Sequence, residues 1–129
     1  INGGRQMRDV WTLPAIAPWE KTCGKHPTQK PLPLLARIIM ASTKPGAWIL
    51  DPFTGSSTTG IAANLLRRRF LGVDRELEFL EMSINRRQEM ENVTTFRAWR
   101  EKIGADYEDT VGNLTLAEEQ TVYHNVLPF

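Results

Sequence analysis

The chain has 129 residues, of which 41% are hydrophobic and 24% are charged, with a formal net charge of +1 at pH 7. This size and apolar content suffice for one domain with a buried core, whereas the near-balanced charge gives no argument for a nucleic-acid partner. Cys23 is the one cysteine, and the sequence has no His/Cys cluster with the spacing of metal ligands. It also has no signal-peptide pattern and no apolar run of roughly 18 residues. We therefore predict a reduced, cytoplasmic protein without a metal.

The first 30 residues form an irregular lead-in. Residues 9–13 (DVWTL) are its only strand-like segment. Repeated prolines predict an ordered loop over residues 14–31. Residues 92–129 are read as a C-terminal extension, in which Trp99 is predicted to cap the core and residues 116–122 to form a short helix.

The middle of the chain, residues 31–91, predicts a compact core. Apolar residues recur at helical spacing in three segments, and two short, continuously apolar segments between them are typical of buried strands. Short strands joined by a crossover helix favour a parallel sheet. The predicted elements are a helix from Pro31 or Leu32 to Pro45-Gly46, a strand at 47–50, a helix at 57–68, a strand at 70–73 and a helix at 76–91.

Each predicted helix has an apolar stripe, and the sheet looks incomplete. Two strands are too few for a stable open sheet, which usually has about four to six strands. Either the ends of the chain contribute further strands or sequence absent from this chain completes the sheet, and we favour the second. The predicted stripes are Leu34/Ile38 with Leu35/Ile39, then Ile61/Leu65 with Ala62/Leu66, then Leu77, Leu80 and Ile84.

Residues 51–60 (DPFTGSSTTG), the glycine loop, follow the first predicted strand and lead into a helix. A glycine turn lets a ligand approach the backbone closely, and a helix start favours an anionic group. Asp74 ends the second strand, where an acid can accept hydrogen bonds from ribose hydroxyls. Together these features predict a pocket for a nucleoside with a charged tail.

Two nucleotide-binding motifs fit the glycine loop poorly. A phosphate loop needs a lysine after its second glycine, but Ile61 follows Gly60. A dinucleotide fingerprint needs a glycine where Ser57 stands. On the glycines alone, a purely structural turn with Ser/Thr residues at a helix start explains the loop about as well as a ligand-binding role does.

The glycine loop resembles the cofactor motif of DNA methyltransferases that act on exocyclic amino groups, adenine N6 or cytosine N4. Residues 24–31 (GKHPTQKP) are similar to a second motif of that family, which precedes the loop when the motifs run in the permuted "beta" order. The resemblance covers roughly residues 8–90. Further similar segments are Asp9-Val10-Trp11, Gly72-Val73-Asp74 and Ile84-Asn85-Arg86-Arg87.

The resemblance implies a Rossmann-like α/β fold of the S-adenosylmethionine-dependent methyltransferases. It also implies that S-adenosyl-L-methionine is the cofactor. Ser57 departs from the family's usual second glycine, and its hydroxymethyl group is expected to narrow the approach to the backbone. The implied cofactor-binding residues are Thr28, Gln29, Lys30, Asp51, Phe53, Gly55, Ser56, Ser57, Thr58 and Asp74.

The family pattern gives these residues distinct roles. The segment Thr28-Gln29-Lys30 lies near the methionine carboxylate, and the residues of the loop shape the surface beneath the methionine and adenosine. Asp51 steadies the loop and the cofactor's ammonium group. Asp74 binds the ribose; its alternative role is to cap the following helix, and the two roles can coexist.

Other polar residues are expected to have structural roles. His26 belongs to a proline-rich turn rather than to the chemistry. The arginine runs at residues 67–69 and 86–87 fit solvated helix ends better than contacts to DNA phosphates. Cys23 and His124 have no partner in the sequence and are assigned no chemistry.

No catalytic residue is assigned to this chain. The family uses an Asp/Asn/Ser-Pro-Pro-aromatic tetrapeptide that accepts hydrogen bonds from the target amine and stacks on the flipped base, and this sequence has no Pro-Pro dipeptide. In the permuted order the tetrapeptide lies N-terminal to Asp9, and Ile1 is not a methionine, so we expect a fragment that is inactive alone.

The expected partners follow from the missing catalytic half. DNA is contacted through the complete enzyme, whose remaining part is either a missing N-terminal segment or a partner chain. An uncovered sheet edge also invites pairing between two copies in a homodimer. The alternative is a non-catalytic remnant or a module that binds the cofactor or a partner.

Overall fold

The structure, a computed structural model, describes residues 10–13, 15–24, 27 and 29–105. Within these ranges a short 3₁₀ helix at Pro18–Lys21 precedes the main elements. None of the described helices is long and apolar enough to cross a membrane. The main elements are α1 (Leu32–Ser42), β1 (Trp48–Asp51), α2 (Thr58–Leu65), β2 (Arg69–Gly72), α3 (Leu77–Glu89) and α4 (Val93–Lys102).

The strands β1 and β2 are parallel and are connected by α2. Their register pairs Trp48 with Arg69 and continues to Asp51 with Gly72. Beyond the strands, the Val73 N–H donates to the Asp51 carbonyl at 2.9 Å. This parallel strand–helix–strand unit confirms the predicted Rossmann-like α/β fold.

Helices α1 and α2 form the main helical contact, and α2 packs on both strands. Gly60 allows α2 to lie close to β2: a Cβ at this position would collide with the Ser57 hydroxyl and lie 2.6 Å from the Phe70 ring. The buried core residues are Leu32, Ala36, Ile39, Ile61, Ala62, Ala63, Leu65, Leu66, Met90, Trp99, Ile103 and Ala105.

The helix α4 was not predicted, although the capping role of Trp99 is confirmed. Trp99 is buried, and its ring meets that of Trp19 edge to face, with the centroids 4.9 Å apart. The Asn92 side chain begins α4 by accepting hydrogen bonds from the backbone N–H groups of Thr94 and Thr95. The helix predicted at residues 116–122 lies outside the described residues.

The helix α2 ends earlier than predicted. It stops at Leu65, not Arg68, because Arg67 adopts a left-handed backbone with φ of 57° that turns the chain into β2. The Arg68 side chain then folds back and donates from Nη2 to the Thr43 carbonyl at 2.9 Å. Arg68 is buried, so it is not a solvated residue or one available to a phosphate.

The outer face of the sheet is exposed and apolar, which corrects the prediction of a buried first strand. Ile49 and Phe70 point toward the helices and pack on the core. The opposite face, called here the open sheet face, consists of Trp48 (66% exposed), Leu50 (63%), Leu71 (50%) and Val73 (50%). A continuously apolar strand is expected to be covered on both sides, and the described residues cover one.

Two predicted helix stripes are only partly buried. In α1 the inward residues are Leu32, Ala36 and Ile39, whereas Ile38 is exposed. In α3, Leu77 and Ile84 are exposed. Four-residue spacing identifies residues that share a face, but not whether another element covers that face.

The strand predicted at residues 9–13 is absent from its described part. Residues 10–13 are irregular, and Asp9 lies outside the described residues. The Trp11 ring instead lies beneath the Arg37 guanidinium, 5.3 Å from its carbon to the ring centroid.

Candidate functional site

The glycine loop leaves the carboxyl end of β1, and Asp51 holds its first turn. One carboxylate oxygen of Asp51 accepts a hydrogen bond from the Phe53 N–H at 3.1 Å. The other accepts one from the Thr59 hydroxyl in the first turn of α2 at 2.6 Å. Asp51 therefore connects both ends of the loop.

Asp74 joins the loop to the end of β2. Its Oδ2 accepts a hydrogen bond from the Gly55 N–H at 2.8 Å, and its Oδ1 accepts one from the Glu76 N–H at 3.0 Å. The N-cap residue of α3 is Glu76, so Asp74 does not cap that helix; it forms the preceding Asx turn. Its carboxylate is half-buried, and its role in binding ribose stays a prediction.

Two side chains of helix α3 donate hydrogen bonds to the glycine loop. Arg86 Nη1 donates to the Ser56 carbonyl at 2.6 Å, to the Ser56 hydroxyl at 3.2 Å and to the Thr58 hydroxyl at 3.1 Å. One turn earlier, the Ser83 hydroxyl donates to the Gly55 carbonyl at 2.9 Å. Arg86 is only 2% exposed, so the expectation of a solvated or phosphate-binding arginine is wrong for this residue.

Sequence reasoning did not identify Arg86 and Ser83 as residues that support the loop. A weak signal was available, because residues three apart share one face of a helix. An arginine pair near the end of a polar helix is, however, usually solvated, and the sequence alone does not distinguish the two arrangements.

Ser57 occupies the left-handed backbone region, with φ of 58° and ψ of 38°. Glycine adopts this region without a steric penalty, whereas a residue with a side chain costs about 1 kcal/mol there. Ser57 is buried, and its hydroxyl packs against Gly60. Glycine, the usual residue here in the family that the sequence resembles, would adopt this left-handed backbone without strain.

We expect Ser57→Gly to raise the free energy of unfolding by up to about 1 kcal/mol, because it relieves the left-handed strain. Urea denaturation followed by circular dichroism measures the change. The matched control is Ser42→Gly at the end of α1, where glycine should lower stability by about 0.5 kcal/mol. A Ser57→Gly protein no more stable than the original would contradict the strain argument.

The second predicted cofactor segment is held by contacts of its own. Gln29 is buried and donates from Nε2 to the Glu20 carbonyl at 2.9 Å, whereas Lys30 is exposed. Thr28 lies outside the described residues. Across the described ranges, no hydrogen bond links Gln29 or Lys30 to the glycine loop.

Glu20, which the sequence did not single out, organises this second segment. Its side chain is 2% exposed. Its Oε1 accepts a hydrogen bond from the Ala17 N–H at 3.1 Å, and its Oε2 accepts one from the Leu32 N–H at the start of α1 at 2.7 Å. Burial lowers the pKa of the Arg86 guanidinium and the Glu20 carboxylate opposes that shift, so Glu20 electrostatically connects the segment with the residue beneath the loop.

The accessible edge of the site lies at the start of the loop. The side chains of residues 54–58 are buried, while Phe53 is 88% exposed beside the half-buried Asp51 and Asp74. Two carboxylates and an exposed aromatic ring suit hydroxyl, ammonium and planar ring groups of a ligand. The described part of the chain has no group of three or more His, Cys, Asp or Glu residues that could hold a metal ion.

Cys23 shows no sign of an activated thiol. Burial raises its pKa above the ordinary value, and hydrogen bonding to Glu89 adds to this effect. A raised thiol pKa keeps the sulfur protonated and poorly nucleophilic at neutral pH.

Comparison with known proteins identifies relatives. The family model described as DNA methylase (N6/N4 type) matches residues 2–85. The chain is 59% identical over 90 residues to the type II methyltransferase M2.MboI of Moraxella bovis, covering 70% of this chain. It is 56% identical over 94 residues to M2.DpnII of Streptococcus pneumoniae, covering 73% of this chain.

The chain corresponds to only part of its relatives. It spans 33% of M2.MboI, 35% of M2.DpnII and 32% of M2.LlaDCHI from Lactococcus lactis subsp. cremoris. Among solved structures, it is similar to M1.HpyAVI in complex with SAM, at 43% identity and a TM-score of 0.46. That match covers 49% of this chain and 33% of the other.

Proposed function

This chain belongs to the N6/N4 DNA methylase family, and we propose on that premise that it is the S-adenosylmethionine-binding part of a DNA methyltransferase. The complete enzyme transfers a methyl group to the exocyclic amino group of adenine or cytosine. The observation that supports the proposal is the hydrogen bond from the Gly55 N–H to Asp74, because a carboxylate beside the glycine loop has the acceptor oxygens that ribose hydroxyls need.

The residues at the accessible edge fit the cofactor's groups. Asp74 accepts hydrogen bonds from the Gly55 and Glu76 N–H groups, and carboxylate oxygens are the acceptors that ribose hydroxyls need. Asp51 places negative charge where the methionine ammonium is expected, and Phe53 offers its exposed ring to the adenosine. S-adenosylmethionine supplies the electrophilic methyl group when bound.

The buried loop positions these groups rather than reacting. With residues 54–58 buried, the backbone is fixed before a ligand arrives, which reduces the ordering entropy lost on binding. The N-cap of α2 has no side-chain hydrogen bond, so the first N–H groups of the helix are not capped by Ser57 and suit an anionic group.

We propose that the residues that bind the target amine lie outside this chain. The sequence has no Pro-Pro dipeptide for the family's amine-binding tetrapeptide, and the chain spans about a third of its relatives. The open sheet face, with Trp48 and Leu50 mostly exposed, is the apolar surface that a missing segment or a partner chain would cover.

Methyl transfer tests this division directly. We expect the isolated chain to transfer no labelled methyl group from S-adenosylmethionine to DNA. Mixing it with the part of the Moraxella bovis relative that it does not match should give transfer, while that part alone, the matched control, should not. Transfer by the isolated chain would refute the proposed division.

A second candidate function is a non-catalytic remnant or a module that binds a partner. The strained Ser57 in place of the usual glycine favours it. A folded chain that fails to bind S-adenosylmethionine would support this second candidate instead.

A further inference from the structure

Arg86 makes all its described hydrogen bonds through one nitrogen, and all of them go to the glycine loop. Nη1 contacts Ser56 and Thr58. Nε and Nη2 are buried and have no hydrogen-bond partner among the described residues. A guanidinium with one paired nitrogen and two buried, unpaired ones contributes little to stability, because its desolvation opposes the gain from its bonds.

Arg86 acts together with Ser83 on two successive peptide groups. Ser83 binds the Gly55 carbonyl and Arg86 binds the Ser56 carbonyl, and both residues lie on the same face of α3, three positions apart. No described peptide bond is cis. In a trans peptide the carbonyl and the following N–H point in opposite directions, so the Ser56 N–H is directed away from α3.

The second contact of Arg86 fixes the start of α2. Its bond to the Thr58 hydroxyl reaches the first residue of that helix. The same side chain therefore sets the direction of a loop peptide and the position of the helix start, the two features that determine how an anionic or polar ligand meets backbone N–H groups.

We propose that Arg86 is a positioning residue for the methyl-donor loop, holding the Ser56 peptide and the start of α2 in the arrangement that binds S-adenosylmethionine. This inference rests on the proposed function of the loop. It assigns Arg86 to cofactor affinity and loop order, with Ser83 as the second support, and not to contact with DNA.

The test compares Arg86→Met with Arg100→Met in the full chain. Arg100 is the matched control, because it is also a buried arginine in a helix and donates to the Leu65 and Ala105 carbonyls. Arg100→Met should lose stability, because it leaves two carbonyls without their donor, whereas Arg86→Met should change stability little. Only Arg86→Met should lower the affinity for S-adenosylmethionine, by about tenfold or more, since small displacements of binding groups have large effects. Arg86→Lys should recover part of the affinity.

Hydrogen exchange of the peptide spanning residues 50–60 supplies a readout that needs no ligand. Exchange should accelerate in Arg86→Met and, more mildly, in Ser83→Ala, but not in Arg100→Met. Unchanged loop exchange in Arg86→Met, or an equal change in Arg100→Met, would overturn the positioning role. If the original chain binds no S-adenosylmethionine, the proposed function fails, and loop exchange still decides the role of Arg86.

Discussion

Replacing Asp74 with alanine is expected to weaken binding of S-adenosylmethionine by about ten- to a hundredfold. A hydrogen bond to a charged acceptor contributes about 1.5–3 kcal/mol, and each 1.4 kcal/mol is about a factor of ten in affinity. Asp74 supplies the acceptor proposed for the ribose and also holds the Gly55 N–H at 2.8 Å. Titration calorimetry with S-adenosylmethionine measures the loss.

Two further variants separate the ribose contact from the loop anchor. Asp74→Asn keeps one carbonyl oxygen as an acceptor and should have an intermediate affinity. Glu76→Ala is the neighbouring control, because its exposed carboxylate pairs only with the solvent-exposed Arg75 among the described side chains, and its affinity should be unchanged. An Asp74→Ala protein that is folded and binds as tightly as the original would contradict the assignment.

Replacing Glu20 with alanine is expected to lower the free energy of unfolding by about 3 kcal/mol. The side chain is 2% exposed and accepts hydrogen bonds from the Ala17 and Leu32 N–H groups. Its removal leaves these two N–H donors unsatisfied. It also removes a negative charge near the buried Arg86, and removing one partner of a buried charge pair is strongly destabilising. Urea denaturation measures this change.

The control for this variant is Glu101→Ala, which removes an exposed carboxylate from α4 and should change stability by less than about 0.5 kcal/mol. Glu20→Gln retains one acceptor oxygen and should fall between the two. If Glu20→Ala were as stable as Glu101→Ala, Glu20 would not organise the segment before α1.

The sequence predicts the central elements well, because their apolar residues recur with a clear period. Helix α1 begins at Leu32 as predicted, and β1, α2, β2 and α3 lie within a few residues of their expected bounds. The parallel arrangement follows from the short crossover helix. Asp74 follows from its position at the end of a strand and Asp51 from the family resemblance, and both accept hydrogen bonds from the glycine loop.

What the sequence does not predict depends on long-range contacts. Helix α4 is the exception, because its signals were local: the N-cap residue Asn92 and the helical spacing of Phe96, Trp99 and Ile103. The buried positions of Glu20 and Arg86 arise from contacts 12 and 30 residues away in the chain, whereas isolated charged residues normally predict a surface. Whether the open sheet face is exposed depends on which other elements cover it, and the periodicity of apolar residues does not predict that.

Calorimetric titration of the intact chain with S-adenosylmethionine tests the central claim most directly. The loop between β1 and α2 is held by Asp51, Asp74 and Arg86, so the account predicts saturable, one-to-one binding by this chain alone, without the segment proposed to bind the target amine. ATP at the same concentration should not reproduce it, since the loop lacks the phosphate-binding lysine. A chain that is folded by circular dichroism and releases or absorbs no binding heat with S-adenosylmethionine at any temperature tested would contradict the claim.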